Sequence, residues 1–142
     1  MSFKKLKKSI VTLGIVGVLG IGSLTVQASN HSFAWSFGST SGNISTDYYA
    51  KSDNEANWYL SLDKKNGSTS NTLSSKNIFG CKMHRSYSDS VDSYHLFSNY
   101  VSSYKISYKK TVGTGDNMKL TGKKDDSSTS NAALKISGRF CP

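Results

Sequence analysis

Beyond residue 28, apolar and polar side chains alternate with period two rather than 3.6. Phe33, Trp35 and Phe37 alternate with Ala34 and Ser36, the pattern of a strand with one buried face. Ala56, Trp58, Leu60 and Leu62 repeat it, so Trp35 and Trp58 are both expected inside. Phe79, Cys81, Met83, Arg85 and Tyr87 line a third face, and Tyr104, Ile106 and Tyr108 a fourth. Met118, Leu120 and Gly122, then Leu134, Ile136, Gly138 and Phe140, form the last two sets, and residues 44 to 51 add a further short candidate. Between these runs the chain is rich in Ser, Asn, Asp, Thr and Gly, which favour turns. Asn66-Gly67 is a strong hairpin signal, because a type I′ turn needs positive φ at both central positions. No segment keeps a helical stripe for three turns, and no repeat of fixed period is present. The pattern predicts an all-β domain: a small antiparallel sandwich or barrel of six to eight short strands.

The first 28 residues read differently. Lys4, Lys5, Lys7 and Lys8 precede Ile10 to Val26, an uncharged and mostly apolar run, and Val26-Gln27-Ala28 supplies the small residues of a signal-peptidase site. Four glycines within the run (Gly14, Gly17, Gly20, Gly22) favour a cleaved signal peptide over a retained anchor. The expectation is a signal peptide at 1–28 and one secreted domain at 29–142, free outside the cytoplasm or at the cell envelope.

Removing that segment changes the charge. The whole chain carries 18 basic and nine acidic residues, a net +9, but four of the cations leave with the leader. The remaining domain is only modestly basic, at +5. Its 114 residues exclude a multidomain protein and a large cofactor enzyme, and a single Pro at the last position excludes a proline-rich stalk. Cys81 and Cys141 lie in the exported part, where an even cysteine count reads as an intramolecular disulfide closing a loop of sixty residues. Such a loop would contribute about 4 kcal/mol in the chain-entropy picture.

Two segments carry a resemblance. Ser52-Asp53-Asn54-Glu55-Ala56-Asn57-Trp58-Tyr59-Leu60-Ser61-Leu62 is an Asn-rich turn leading into a Trp strand. Asn117 to Gly122, Ser127-Ser128-Thr129 and Ile136-Ser137-Gly138-Arg139-Phe140 make a strand, a polar loop and a Ser-Gly-aromatic ending. Together they resemble a group of small exported Gram-positive proteins with no assigned function. The resemblance implies fold and export only. In size, export and Tyr/Ser/His content the chain also looks like secreted all-β bacteriocins.

Catalytic chemistry has little footing in the sequence. No serine sits in a Gly-x-Ser-x-Gly elbow. Asp89, Asp92 and His95, with His84 nearby, are the one grouping in which a carboxylate could orient a histidine beside a serine, although Ser86 to Ser93 also reads as a solvated loop. Cys81 and His84 have a metal-like spacing but lack further ligands, and on a strand they face opposite sides. Asp116-Asn117 and Asp125-Asp126 lack the spacing of a calcium loop. Gly113-Thr114-Gly115-Asp116 reads as a turn, not a phosphate cradle. No enzyme activity and no cofactor are expected.

Binding has more. Tyr104, Lys105, Tyr108, Lys109 and Lys110 interleave aromatics with positive charge, the ingredients for gripping a polyanion. Outside the cell the available polyanions are wall polymers and membrane headgroups rather than nucleic acid. The same alternation also describes an edge strand, with Tyr104, Ile106 and Tyr108 inward and lysines guarding the edge. Cleavage after Ala28 would also leave Ser29-Asn30-His31 at the N-terminus. The α-amine, two deprotonated amides and the His31 imidazole then form a planar four-nitrogen set suited to Cu(II) or Ni(II). The sequence therefore favours a monomeric, non-enzymatic exported protein that binds or interacts at the cell envelope. A bacteriocin-like toxin is the alternative, and a secreted hydrolase stands third.

Overall fold

The computed structural model describes residues 29–64, 72–86 and 88–142. The signal-peptide segment, the Asn66-Gly67 turn and Tyr87 lie outside the described residues. Among those described there is no helix. Nine strands follow in order: β1 (His31–Phe37), β2 (Ile44–Ser45), β3 (Tyr49–Ala50), β4 (Asn57–Leu62), β5 (Phe79–His84), β6 (His95–Phe97), β7 (Tyr104–Ser107), β8 (Asn117–Lys124) and β9 (Leu134–Cys141). The count exceeds six to eight for two reasons. Residues 44–51 hold two separate strands, and β6 is too short to show an alternation in sequence.

The strands form two antiparallel sheets that do not close into a barrel. One has four strands in the order β1-β9-β4-β7, and the other five, β2-β8-β5-β6 with β3 also on β8. Between them the alternating apolar sets meet. Trp58, Leu60, Leu134 and Phe140 from the first sheet and Phe79, Met83, Met118 and Leu120 from the second are fully excluded from water. Each such side chain contributes about 1.5–3 kcal/mol on burial. Two glycines make the fit possible. A Cβ on Gly138 of β9 would lie 2.1 Å from the Ser61 carbonyl oxygen of β4, and one on Gly122 of β8 would lie 2.4 Å from the Trp35 ring.

Three expectations need correction. The cysteines are not bridged. Phe79, Cys81 and Met83 are fully buried, so Cys81 faces the core; Phe140 faces the core too, so Cys141, one residue on, points to the opposite side of its sheet. Trp35 is only half-buried, because β1 lies at a sheet edge. Finally, β4 does not form a hairpin with the next long strand, because β4 and β5 lie in different sheets.

Candidate functional site

The segment from Tyr104 to Lys110 is an edge, as its alternation suggested, but its cations and rings do not act together. β7 lies outermost in its sheet, paired only to β4. Ile106 is buried opposite Trp58, and Tyr104 stays 49 % exposed, edge-on to Phe97 at 5.5 Å. Tyr108 turns inward. Its hydroxyl is buried without a partner among the described residues, and desolvation pushes it well above the usual phenol range. The Lys51 ammonium lies 5.4 Å from the Tyr108 ring and is itself buried against Asp53 at 2.6 Å. Lys110 is paired with Asp89. That leaves Lys105 and Lys109 presented to water.

Lys105 belongs instead to a larger surface. Strand parity sends every second side chain of β1, β9, β4 and β7 to the outside of the sheet. In register across it lie Ser36 opposite Lys135, Ala34 opposite Ser137, and Ser32 opposite Arg139, which itself faces Ser61. Tyr59 stands between Cys141 and Lys105, and Asn57 opposite Ser107. The face is therefore flat, rich in hydroxyls, and punctuated by Lys105, Lys135 and Arg139. These strand positions include no carboxylate, and none of the three cations has an ion pair among the described residues. Glu55 and Asp63 border the face at the two ends of β4, holding the Tyr59 hydroxyl and the Ser137 hydroxyl respectively. Lys135 and Arg139, four residues apart on one strand, are separated by about 13 Å; Lys105 lies two strands over from Cys141, about 10 Å across the sheet and two residues further along it than Arg139.

The outward face of the five-stranded sheet uses its lysines differently. Lys82 and Lys123 flank the Tyr94 ring at 4.6 and 4.9 Å, and Lys119 lies 5.0 Å from Tyr48. Lys123 is also paired with Asp125 and Asp126, and those carboxylates raise its pKa. Leu96, 53 % exposed, covers Gly80. Neither sheet-wide arrangement was visible in the sequence; the alternation of Lys119 and Lys123 with Met118, Leu120 and Gly122 is the signal that could have found the second.

The grouping of Asp89, Asp92, His84 and His95 separates in three. Asp92 is buried and accepts from the Trp58 indole N–H at 3.0 Å and from the Ser93 amide at 2.7 Å, with His95 Nε2 at 2.9 Å from both carboxylate oxygens. No serine hydroxyl bonds His95 among the described residues, so this carboxylate organises Trp58 and His95 rather than a nucleophile. Asp89 bonds Lys110 and Arg85, and those bonds hold its carboxyl below the usual range. His84 lies on the outward side of β5, where burial, then Lys82 and Lys119, lower its pKa. Cys81, three residues earlier, points inward, and no group of three metal-ligating side chains occurs among the described residues. Burial raises the pKa of both thiols, so neither is an activated thiolate. Gly113 to Asp116 is the expected turn, closed by the Asp116 amide on the Gly113 carbonyl at 3.1 Å with positive φ at Gly115.

At the start of the domain, Ser29 and Asn30 are exposed and His31 opens β1. The His31 ring stacks on Tyr49 at 3.7 Å and packs against Phe140, with Nε2 buried and unpartnered among the described residues. A Cu(II) or Ni(II) chelate at 29–31 would have to form beside that stack. No family model matches the chain, and comparisons with curated proteins and with solved structures find no match.

Proposed function

We propose that the protein is an exported, non-enzymatic binding protein whose outward face on the four-stranded sheet holds an anionic polymer of the cell envelope. The observation that carries this reading is the triangle of Lys105, Lys135 and Arg139 on a hydroxyl-rich face without strand carboxylates. Cations left unpaired by the protein keep their attraction for a polyanion, and serines across the face supply hydrogen bonds to sugar or polyol hydroxyls. A polymer fits better than a membrane. Interfacial binding draws on inserted apolar side chains, yet among the described residues the large exposed hydrophobics, Tyr48, Leu96 and Tyr104, lie on the other sheet or at the β7 edge.

The test compares the two faces. The triple variant Lys105→Ser, Lys135→Ser, Arg139→Ser should lose at least about tenfold in affinity for isolated cell wall at low salt. Lys82→Ser with Lys123→Ser should change it by less than about twofold. Wild-type binding should weaken steeply as salt rises. Equal losses from the two sets, or salt-insensitive binding, would overturn the assignment.

A further inference from the structure

The two edges of the four-stranded sheet are protected unequally. β7 is four residues long and carries Lys105. β1 is seven residues long, the longest of the edge strands, and holds no Lys, Arg, Asp, Glu, Pro or Gly. Every residue of β1 from His31 to Phe37 is paired to β9 on one side, and on the other its backbone has no main-chain partner among the described residues. Long, flat, uncharged edges are templates for a further strand, and short strands, charges, prolines and bulges are the usual protection. β1 has none of these.

We infer that the free edge of β1 pairs with β1 of a second copy of this chain, antiparallel about a two-fold axis, joining two four-stranded sheets into one of eight. The strand is self-complementary. With Ala34 on the axis, Phe33 meets Trp35 of the second copy, Ser32 meets Ser36, and His31 meets Phe37. Aromatic side chains then face aromatic side chains on the inner side, and small residues face small residues outside, an arrangement that cross-strand pairing rewards. Phe33 and Trp35 already sit 4.6 Å apart, and Trp35 and Phe37 6.0 Å, so a ring ladder runs along the edge. Trp35, half-buried in one copy, gains cover from the other. No like charges are brought together, whereas self-pairing of β7 would set lysines against each other. A second β1 is an uncharged alternating strand of the same length, so it can pair along the whole edge with its apolar residues on the inner side. The interface closes on itself, as a two-fold interface does, and so predicts a dimer rather than a fibre. The inference is independent of any polymer, although two coplanar outward faces would double the cationic surface.

Sedimentation equilibrium of the secreted protein in reductant, which excludes intermolecular disulfides, should give a dimer at micromolar concentration. Ala34 is exposed and its β9 neighbour Ser137 lies on the outward face, so Ala34→Lys should leave the fold of each copy intact by circular dichroism while placing two cations at the axis. It should raise the dissociation constant at least about tenfold. Mixing Ala34→Lys with Ala34→Glu should restore a dimer containing one of each. A monomeric wild type, a dimer indifferent to Ala34→Lys, or failure of the mixed pair would each overturn the inference.

Discussion

β1 and β4 carry nearly the same message in sequence and meet different fates. Each alternates small or polar residues with large apolar ones, and each places a tryptophan in the middle of its apolar set. β4 has β9 on one side and β7 on the other, and Trp58 is fully buried with its indole N–H on Asp92. β1 has β9 alone, and Trp35 is only partly buried. Period two fixes which side of a strand is apolar. Whether that side is covered depends on how many strands lie beside it.

The largest contrast should come from the tryptophans themselves. Trp58→Ala is expected to cost about 3–5 kcal/mol in denaturant unfolding, and Trp35→Ala about half of that. Trp58→Phe, which keeps most of the ring but removes one of the donors to the buried Asp92 carboxylate, leaving the Ser93 amide and His95, should cost about 1.5–3 kcal/mol. Equal losses for the two alanine variants would mean that the edge position of β1 is wrong.

The glycines sharpen the same comparison. Gly138 lies between Phe33 of β1 and Leu62 of β4, and its missing Cβ leaves room for the Ser61 backbone, which cannot yield. Gly138→Ala should cost about 3 kcal/mol or more. Gly122→Ala meets Trp35, a ring on an edge that can swing outward, and Phe79 at 2.8 Å, so about 1–3 kcal/mol is expected. A reversed order in thermal or chemical denaturation would mean that β1, not β4, is the rigid neighbour.

The cysteines supply a smaller effect. Both thiols should titrate with an alkylating reagent once the protein is unfolded. Cys81→Ser buries a hydroxyl in the apolar core and should cost about 1–3 kcal/mol; Cys141 is also buried but lies on the other side of its sheet, outside that core, so Cys141→Ser should cost less. A pair of similar losses, with no thiols found after unfolding, would restore the bridge.

The smallest effect is electrostatic and belongs to β1. Burial lowers the pKa of His31 below 6.5, so the unfolded chain binds a proton more readily than the folded one. Stability should therefore be complete above about pH 6.5 and fall as pH drops below it, levelling once folded His31 also protonates. His31→Gln should flatten that slope without abolishing it, because His84 shifts in the same direction. An unchanged slope would mean that His31 is not held in its stack with Tyr49.

By itself the sequence determined the all-β class, the position of most long strands and their apolar faces, the turn at Gly113 to Asp116, and the edge character of residues 104–107. These depend on local alternation and turn chemistry, which are written within a few residues. It also pointed to Lys105 as a surface cation, but not to its company. Lys135 and Arg139 join Lys105 only because β9 and β4 bring distant segments into one register. The same long-range pairing decided that Asp92 lies under Trp58 rather than beside Asp89, and that β4 and β5 part into different sheets. The cysteines fall between the two cases. Parity alone could turn Cys81 inward and Cys141 outward, but parity separates two side chains only once both neighbours, Phe79 and Phe140, are known to face the same core. That shared core exists only in the folded sandwich, because strand order is a property of pairing between segments and no single segment contains it.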